Sequence, residues 1–439
     1  MKKRLCYSGI LLLLHAVGAC AAHAAAYRDS VKTGWNFGVL PAVSFDSNLG
    51  FQYGGLINLF YFGDGSSYPS YLHSIYAEVS QYTKGTTVFR TYYDSKYLLP
   101  GLRTTVDVAY LTDKMMKLHG FNGYQASYNA GYLEKESFGE GFYSYDRRLF
   151  RIVSGLQGRI GGRLSWAAGV DLYSYKTGAV DRDKLKLGSD STAYEYYVRY
   201  GGIRAEEADG GTHLYLKGGL IYDTRDFEPN PSRGLCTELL LLASPDFAGR
   251  GNAHAKLTLV HRQYFTFIPQ RLSLAYRVGY QGTLFGSTPW YLQQNFHVLM
   301  LRKTLSEGLG SSSTMRGVVR NRIVGDGIAF ANVELRLRLA HFRLFNQNWY
   351  IATNPFADAG VSVQPYRKAE LEQMQENINR YAVARPKLVA GDRETPHVCA
   401  GIGLQVVMNQ NFIVSADFGK ALDDRDGDTG MYVGLNYLF

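Results

Sequence analysis

Glu334 and Asp358 stand in two stretches, Asn332-Val333-Glu334-Leu335-Arg336 and Phe356-Ala357-Asp358-Ala359-Gly360, that read as neighbouring strands with both carboxylates on one face. Two carboxylates sharing a patch cost energy unless a cation joins them. Arg316, in the long connection before the first stretch, is the natural cation, because its planar fork binds carboxylates in two-point geometry. The open alternative is that Arg316 lies on an exposed loop and meets lipopolysaccharide. Either way the chemistry is ion pairing rather than catalysis. His-Glu-x-x-His, Gly-x-Ser-x-Gly and a phosphate-cradling loop are absent, so neither an enzyme nor a cofactor is expected. Scattered residues such as His254 and His261 form no motif. Asp424-Arg425-Asp426-Gly427-Asp428 has the spacing of a hard-cation site but lacks a twelfth-position Glu; it reads as a solvated acidic loop, and no metal is expected.

The elements that position these groups follow from a period of two. Val333, Leu335, Leu337 and Leu339 alternate with Asn332, Glu334, Arg336 and Arg338, and successive side chains of a strand face opposite sides. Ala255, Leu257 and Leu259 alternate with Lys256 and Thr258, and Val414, Ala416 and Phe418 with Ser415 and Asp417. At the end, Met431, Val433, Leu435, Tyr437 and Phe439 are apolar while Tyr432, Gly434 and Asn436 separate them. An apolar outside around a polar inside is the pattern of a transmembrane antiparallel β-barrel.

Strands are expected at 34–43, 51–62, 70–83, 86–97, 101–112, 147–160, 163–175, 213–223, 234–243, 252–265, 271–284, 329–341, 348–361, 397–407, 411–421 and 430–439, about 16 in all. Gly161-Gly162, Ile268-Pro269-Gln270, Asn346-Gln347 and Asn409-Gln410 make tight turns. They alternate with long connections at 113–146, 176–212, 285–328 and 362–396. Short periplasmic turns and long extracellular loops are the barrel rule, and an even count puts the C-terminus in the periplasm. Leu371, Met374, Ile378 and Tyr381 recur at helical spacing, predicting a short amphipathic helix on the outside, over the barrel mouth.

Lys2-Lys3-Arg4, an apolar stretch around Ile10 to Leu14 and Ala22-His23-Ala24 make a secretory leader over 1–24. Cleavage after Ala24 is preferred, with a lipoprotein-like Val17-Gly18-Ala19-Cys20 as the alternative. A short segment, 25–33, precedes the barrel, 34–439. Past the leader no apolar run nears the ~18 residues of a spanning helix. The 48 Gly, the 14% aromatic residues and the 19% charged residues suit a barrel with aromatic girdles. The net charge of +9 is spread within candidate strands, which argues against nucleic acid and for a basic lumen or sites for anionic lipid head groups. Cys236 and Cys399 fall at opposite ends of the barrel and are expected to be free thiols.

Met315-Arg316-Gly317-Val318, the Glu334 strand, and Phe356-Ala357-Asp358-Ala359-Gly360 resemble, in order, the signatures of the BamA/TamA family of assembly and translocation barrels, the bacterial surface antigen family. Tyr222-Asp223-Thr224-Arg225-Asp226 with Pro229, Pro231 and Arg233-Gly234 resembles the family's turn between its eighth and ninth strands. Val318 stands where the family has an aromatic residue. Only about ten residues separate Ala24 from the first strand, so the family's periplasmic docking domains are expected to be absent. The resemblance implies that the loop carrying Arg316 and Gly317 folds into the lumen and is clamped there by Glu334, Phe356, Asp358 and Gly360. It also implies a seam between first and last strands that opens sideways, with Gly38, Pro41, Gly434 and Phe439 at that seam. Pro41 lacks the N–H that a ladder requires; the alternative is that it merely ends its strand. The implied task is insertion or translocation of protein or lipid at the cell outer membrane, and the alternative is a passive or gated pore. A third reading, a surface-exposed structural or adhesive barrel, rests on the long outer loops. Expected partners are outer-membrane lipids and lipopolysaccharide, client proteins or accessory lipoproteins, and the barrel-assembly machinery that would insert the chain itself.

Overall fold

A side chain that is polar inside and apolar outside inverts the logic of a soluble core, and that inversion runs through the whole molecule. On one strand Val333, Leu335 and Leu339 are 43%, 38% and 49% exposed, while Asn332 and Glu334, on either side of Val333, are fully buried. The computed structural model describes residues 31–439 apart from 69, 186–190, 229, 248–250, 300–307, 345–346, 409–411 and 436–437. The leader, Pro229, Asn346, the Asn409-Gln410 turn and Tyr437 therefore lie outside the described residues.

Sixteen strands form one closed antiparallel barrel. The first, β1, comes in two pieces, Trp35–Pro41 and Ser44–Asp46, both paired with the same neighbour. There follow β2 (Gly50–Tyr61), β3 (His73–Tyr82), β4 (Thr86–Leu99), β5 (Leu102–Lys117), β6 (Ser144–Gly161), β7 (Leu164–Gly178) and β8 (Gly210–Asp223). The second half contains β9 (Gly234–Ser244), β10 (His254–Ile268), β11 (Leu272–Gly286), β12 (Gly327–Leu344), β13 (Gln347–Gln364), β14 (His397–Met408), β15 (Phe412–Ala421) and β16 (Thr429–Leu435). Each strand pairs with the next, and β16 returns to β1. The expected strands are all present with shifted ends; β5 extends furthest past expectation, to Lys117. Among the described residues no helix is long and apolar enough to cross a membrane.

Two expectations about alternation need correction. The outward apolar series of the last strand does not extend to its final residue: Phe439 is buried at 1% exposure, as is its neighbour Leu438 at 6%. Phe439 turns inward because the guanidinia of Arg277 and Arg336 face its ring at 5.2 and 5.4 Å, and Arg336 donates to its carbonyl oxygen at 2.8 Å. Ala255 is buried together with Lys256, because a bulge against β11 shifts the register between them.

Long loops join β5 to β6, β7 to β8, β11 to β12 and β13 to β14, all at one end. They pack into a cap over that mouth, around Tyr143, Tyr197, Trp290, Tyr291 and Tyr366. Much of the tyrosine that composition assigned to girdles is thus spent on an apolar core above the barrel. Helix α1 (Ala193–Arg199) begins with a capping box, the Thr192 hydroxyl and the Glu195 carboxylate each satisfying the other's backbone N–H. Helix α2 (Lys368–Tyr381) buries Leu371, Met374 and Ile378 in the cap, whereas Tyr381 points out at 67% exposure.

Candidate functional site

The β11–β12 loop leaves the cap and descends into the lumen, where Arg316 is fully buried. Register explains the pocket it enters. Asn332 lies opposite Asp358 across β12 and β13, and Glu334 opposite Phe356, so the two carboxylates are offset by one inward step. Arg316 Nη1 donates to Glu334 at 2.7 Å; its Nη2 and Nε donate to the two oxygens of Asp358 at 2.9 and 3.0 Å. The Arg316 backbone N–H also reaches Asp358, at 3.1 Å. The guanidinium lies 3.4 Å above the Phe356 ring centre, a cation–π contact. Burial alone disfavours the charged guanidinium, and the Asp358 and Glu334 carboxylates more than reverse this, holding its pKa above the ordinary value. The second oxygen of Glu334 accepts from Arg336 at 2.9 and 3.0 Å.

Two glycines permit this approach. Gly317 has φ +107°, and a Cβ there would come within 2.6 Å of the Gly419–Lys420 backbone; its N–H donates to the Tyr432 hydroxyl at 3.1 Å. A Cβ on Gly360 would strike the Met315 sulfur at 2.5 Å. Val318, where an aromatic was expected from the resemblance, is fully buried in a small apolar cluster with Leu309, Met315 and Ile323. The loop, Phe356, Asp358, Glu334 and both glycines are thus brought into one site.

The seam is sparse. Among the described residues β16 meets β1 through two residue pairs, Tyr432 with Asp46 and Val433 with Phe45, whereas seven pairs join it to β15. Ser47 adds three bonds to Met431: its N–H donates to the carbonyl at 3.1 Å, its hydroxyl donates there at 3.0 Å and accepts the Met431 N–H at 2.6 Å. Pro41 ends the first piece of β1, and Ala42 and Val43 interrupt the ladder before Ser44. Gly38 pairs with Asn58 of β2 and Gly434 with Ser415 of β15, so neither bridges the seam. Among the described residues the closing contacts therefore sit at the long-loop end, and Trp35–Pro41 pairs on the β2 side only.

A family model of the Omp85 superfamily domain matches residues 73–437. The chain belongs to the Omp85 superfamily. Its fold is similar to a Haemophilus ducreyi BamA lacking POTRA domains 1–3, at TM-score 0.53 and 16% identity over 92% of this chain and 71% of that one. It is also similar to CdiB from Escherichia coli, at TM-score 0.54 and 12% identity over 94% of this chain and 64% of that one. No curated protein matches the sequence.

The Omp85 loop carries two further buried arginines that sequence reasoning passed over. Arg320 donates to Asp113 of β5 at 2.7 Å. Arg322 reaches up into the cap, donating to the carbonyls of Arg425, Gly123 and Ala126 at 2.8, 2.9 and 3.2 Å. The last acidic loop is part of this support: Asp426 is buried, accepting from Tyr124 at 2.8 Å and His397 at 2.6 Å. Three arginines within seven residues of one long loop were the available signal. Cys236 and Cys399 are buried free thiols.

Proposed function

We propose that this Omp85 barrel sits in the bacterial outer membrane and inserts or translocates a protein or lipid client, by way of the seam between β1 and β16. The observation that carries the reading is the contrast between the two routes: the lumen is occupied by a clamped loop, while among the described residues two ladder pairs close the seam. An unpaired strand edge is a template for another strand, and among the described residues the lower part of β1 offers one. Similarity in fold to BamA and CdiB supports the same class of task. Candidate partners are client proteins or accessory lipoproteins, together with the barrel-assembly machinery needed for the chain's own insertion. The test is the folding rate of a small client barrel into liposomes with and without the reconstituted protein. Acceleration supports the reading; an unchanged rate contradicts it.

A gated pore is the second reading, favoured by the plug's dependence on ion pairs. It requires steady ion conductance by the wild-type protein whenever the loop is displaced.

A further inference from the structure

The outward faces of β5, β6 and β7 carry three cations just beyond an aromatic step. Tyr110 and Phe150 are register partners, 41% and 38% exposed. Two residues nearer the long loops, Arg148 lies level with Thr112 on one side and Lys176 on the other. Lys114 follows two residues further along β5, and all three cations are exposed. Two residues of strand rise about 6 to 7 Å, which places the cations where the apolar core of a bilayer gives way to head groups. Elsewhere at the long-loop ends of the strands, the outward residues include Phe285 on β11 and Val363 on β13, exposed and apolar. Lys420, at the same end of β15, is also exposed but lies 3.7 Å from Asp428.

Like charges directly opposed across a ladder destabilise it, and Arg148 and Lys176 are such a pair. The local acid is Asp146, 3.6 Å from the Arg148 Nε, and the two lysines lie within its field as well. Among the described residues neither lysine ammonium has an ion-pair or hydrogen-bond partner. Three cations facing one carboxylate leave an excess that an anion would neutralise. The flanking hydroxyls, Ser174 and Thr212, bond each other at 2.8 Å on the same exposed face.

We propose that Lys114, Arg148 and Lys176 bind the phosphate of an anionic lipid in the outer leaflet, whose acyl chains lie along Tyr110 and Phe150. This rests on the outer-membrane reading above but not on insertion of clients. The experiment titrates the detergent-solubilised full chain with bisphosphorylated lipid A and counts bound lipid by native mass spectrometry. A Lys or Arg near a membrane surface contributes about fivefold to binding, so K114Q/R148Q/K176Q should lose at least about tenfold in affinity. D146N, which removes the competing carboxylate, should bind more tightly, a gain that a damaged fold would not give. Equal affinity of wild type and the triple variant would overturn the proposal. So would competition by millimolar inorganic phosphate, which would mark a free-anion site. Because no client is present, either failure leaves the insertion reading standing.

Discussion

Replacing Arg316 with alanine should release the lumen loop. The side chain is fully buried and bonded to two carboxylates. The two losses are unequal. Glu334 keeps Arg336 at 2.9 Å, whereas among the described residues Asp358 is left with the backbone N–H of position 316 and the Cys399 thiol at 4.0 Å. The penalty is thus closer to one orphaned buried charge than to two, about 3 to 5 kcal/mol. At 1.4 kcal/mol per tenfold, that shifts the docked-to-released ratio by about 150- to 4,000-fold. Arg316→Lys keeps the charge but cannot make the fork that spans both carboxylates, so it should fall between. Single-channel conductance in planar bilayers reads the outcome. Wild type should be nearly closed, Arg316→Ala open and Arg316→Lys intermittently open. Equal, steady conductance in all three would refute the clamp.

Three further outcomes follow from the same geometry. Gly317→Ala should also loosen the loop, since its Cβ would press on the Gly419–Lys420 backbone at 2.6 Å; protease cleavage within 287–326 should rise, and unchanged protection would contradict this. Ser47→Ala removes both hydroxyl contacts to Met431; at about 1 kcal/mol for each hydrogen bond, seam opening should become roughly 30-fold more frequent, read as faster client folding. His119, in the β5–β6 loop, is held well below its usual 6.5 by burial, aided by the nearby Arg322 and Lys117 cations. A depressed folded value means that its contribution to stability is full above 6.5 and is lost progressively as pH falls from there towards the lower folded value. Between pH 7 and 5 the cap should loosen more in wild type than in His119→Gln, read by fluorescence of Trp290, which is buried against Tyr145 and Tyr194.

The barrel was legible because alternation is local: each of Val333, Leu335 and Leu339 declares its face without knowledge of the partner strand. The meeting of Arg316 with Glu334 and Asp358 was legible for a related reason, since inward positions on adjacent strands share a patch and two carboxylates demand a cation. The inward turn of Phe439 was not, because it depends on Arg277 and Arg336, more than a hundred residues away in sequence, rather than on its own alternation. The cap was half legible. Helical spacing marked Leu371, Met374 and Ile378, but Tyr381 shares that spacing and faces out. The partners of Arg320 and Arg322 lie on β5 and on the β5–β6 and β15–β16 loops, and how the lumen loop meets them is something no periodicity encodes.

The most direct test of the lateral route is a disulfide across the seam. Phe45 and Val433 are register partners on β1 and β16, so F45C/V433C can lock the closing contact while Cys236 and Cys399 are buried and left in place. Oxidised protein should lose its acceleration of client folding in liposomes, and a reductant should restore it, with the Arg316 clamp untouched throughout. Full activity in the cross-linked form would contradict the account and send the client, or the ions, through the lumen instead.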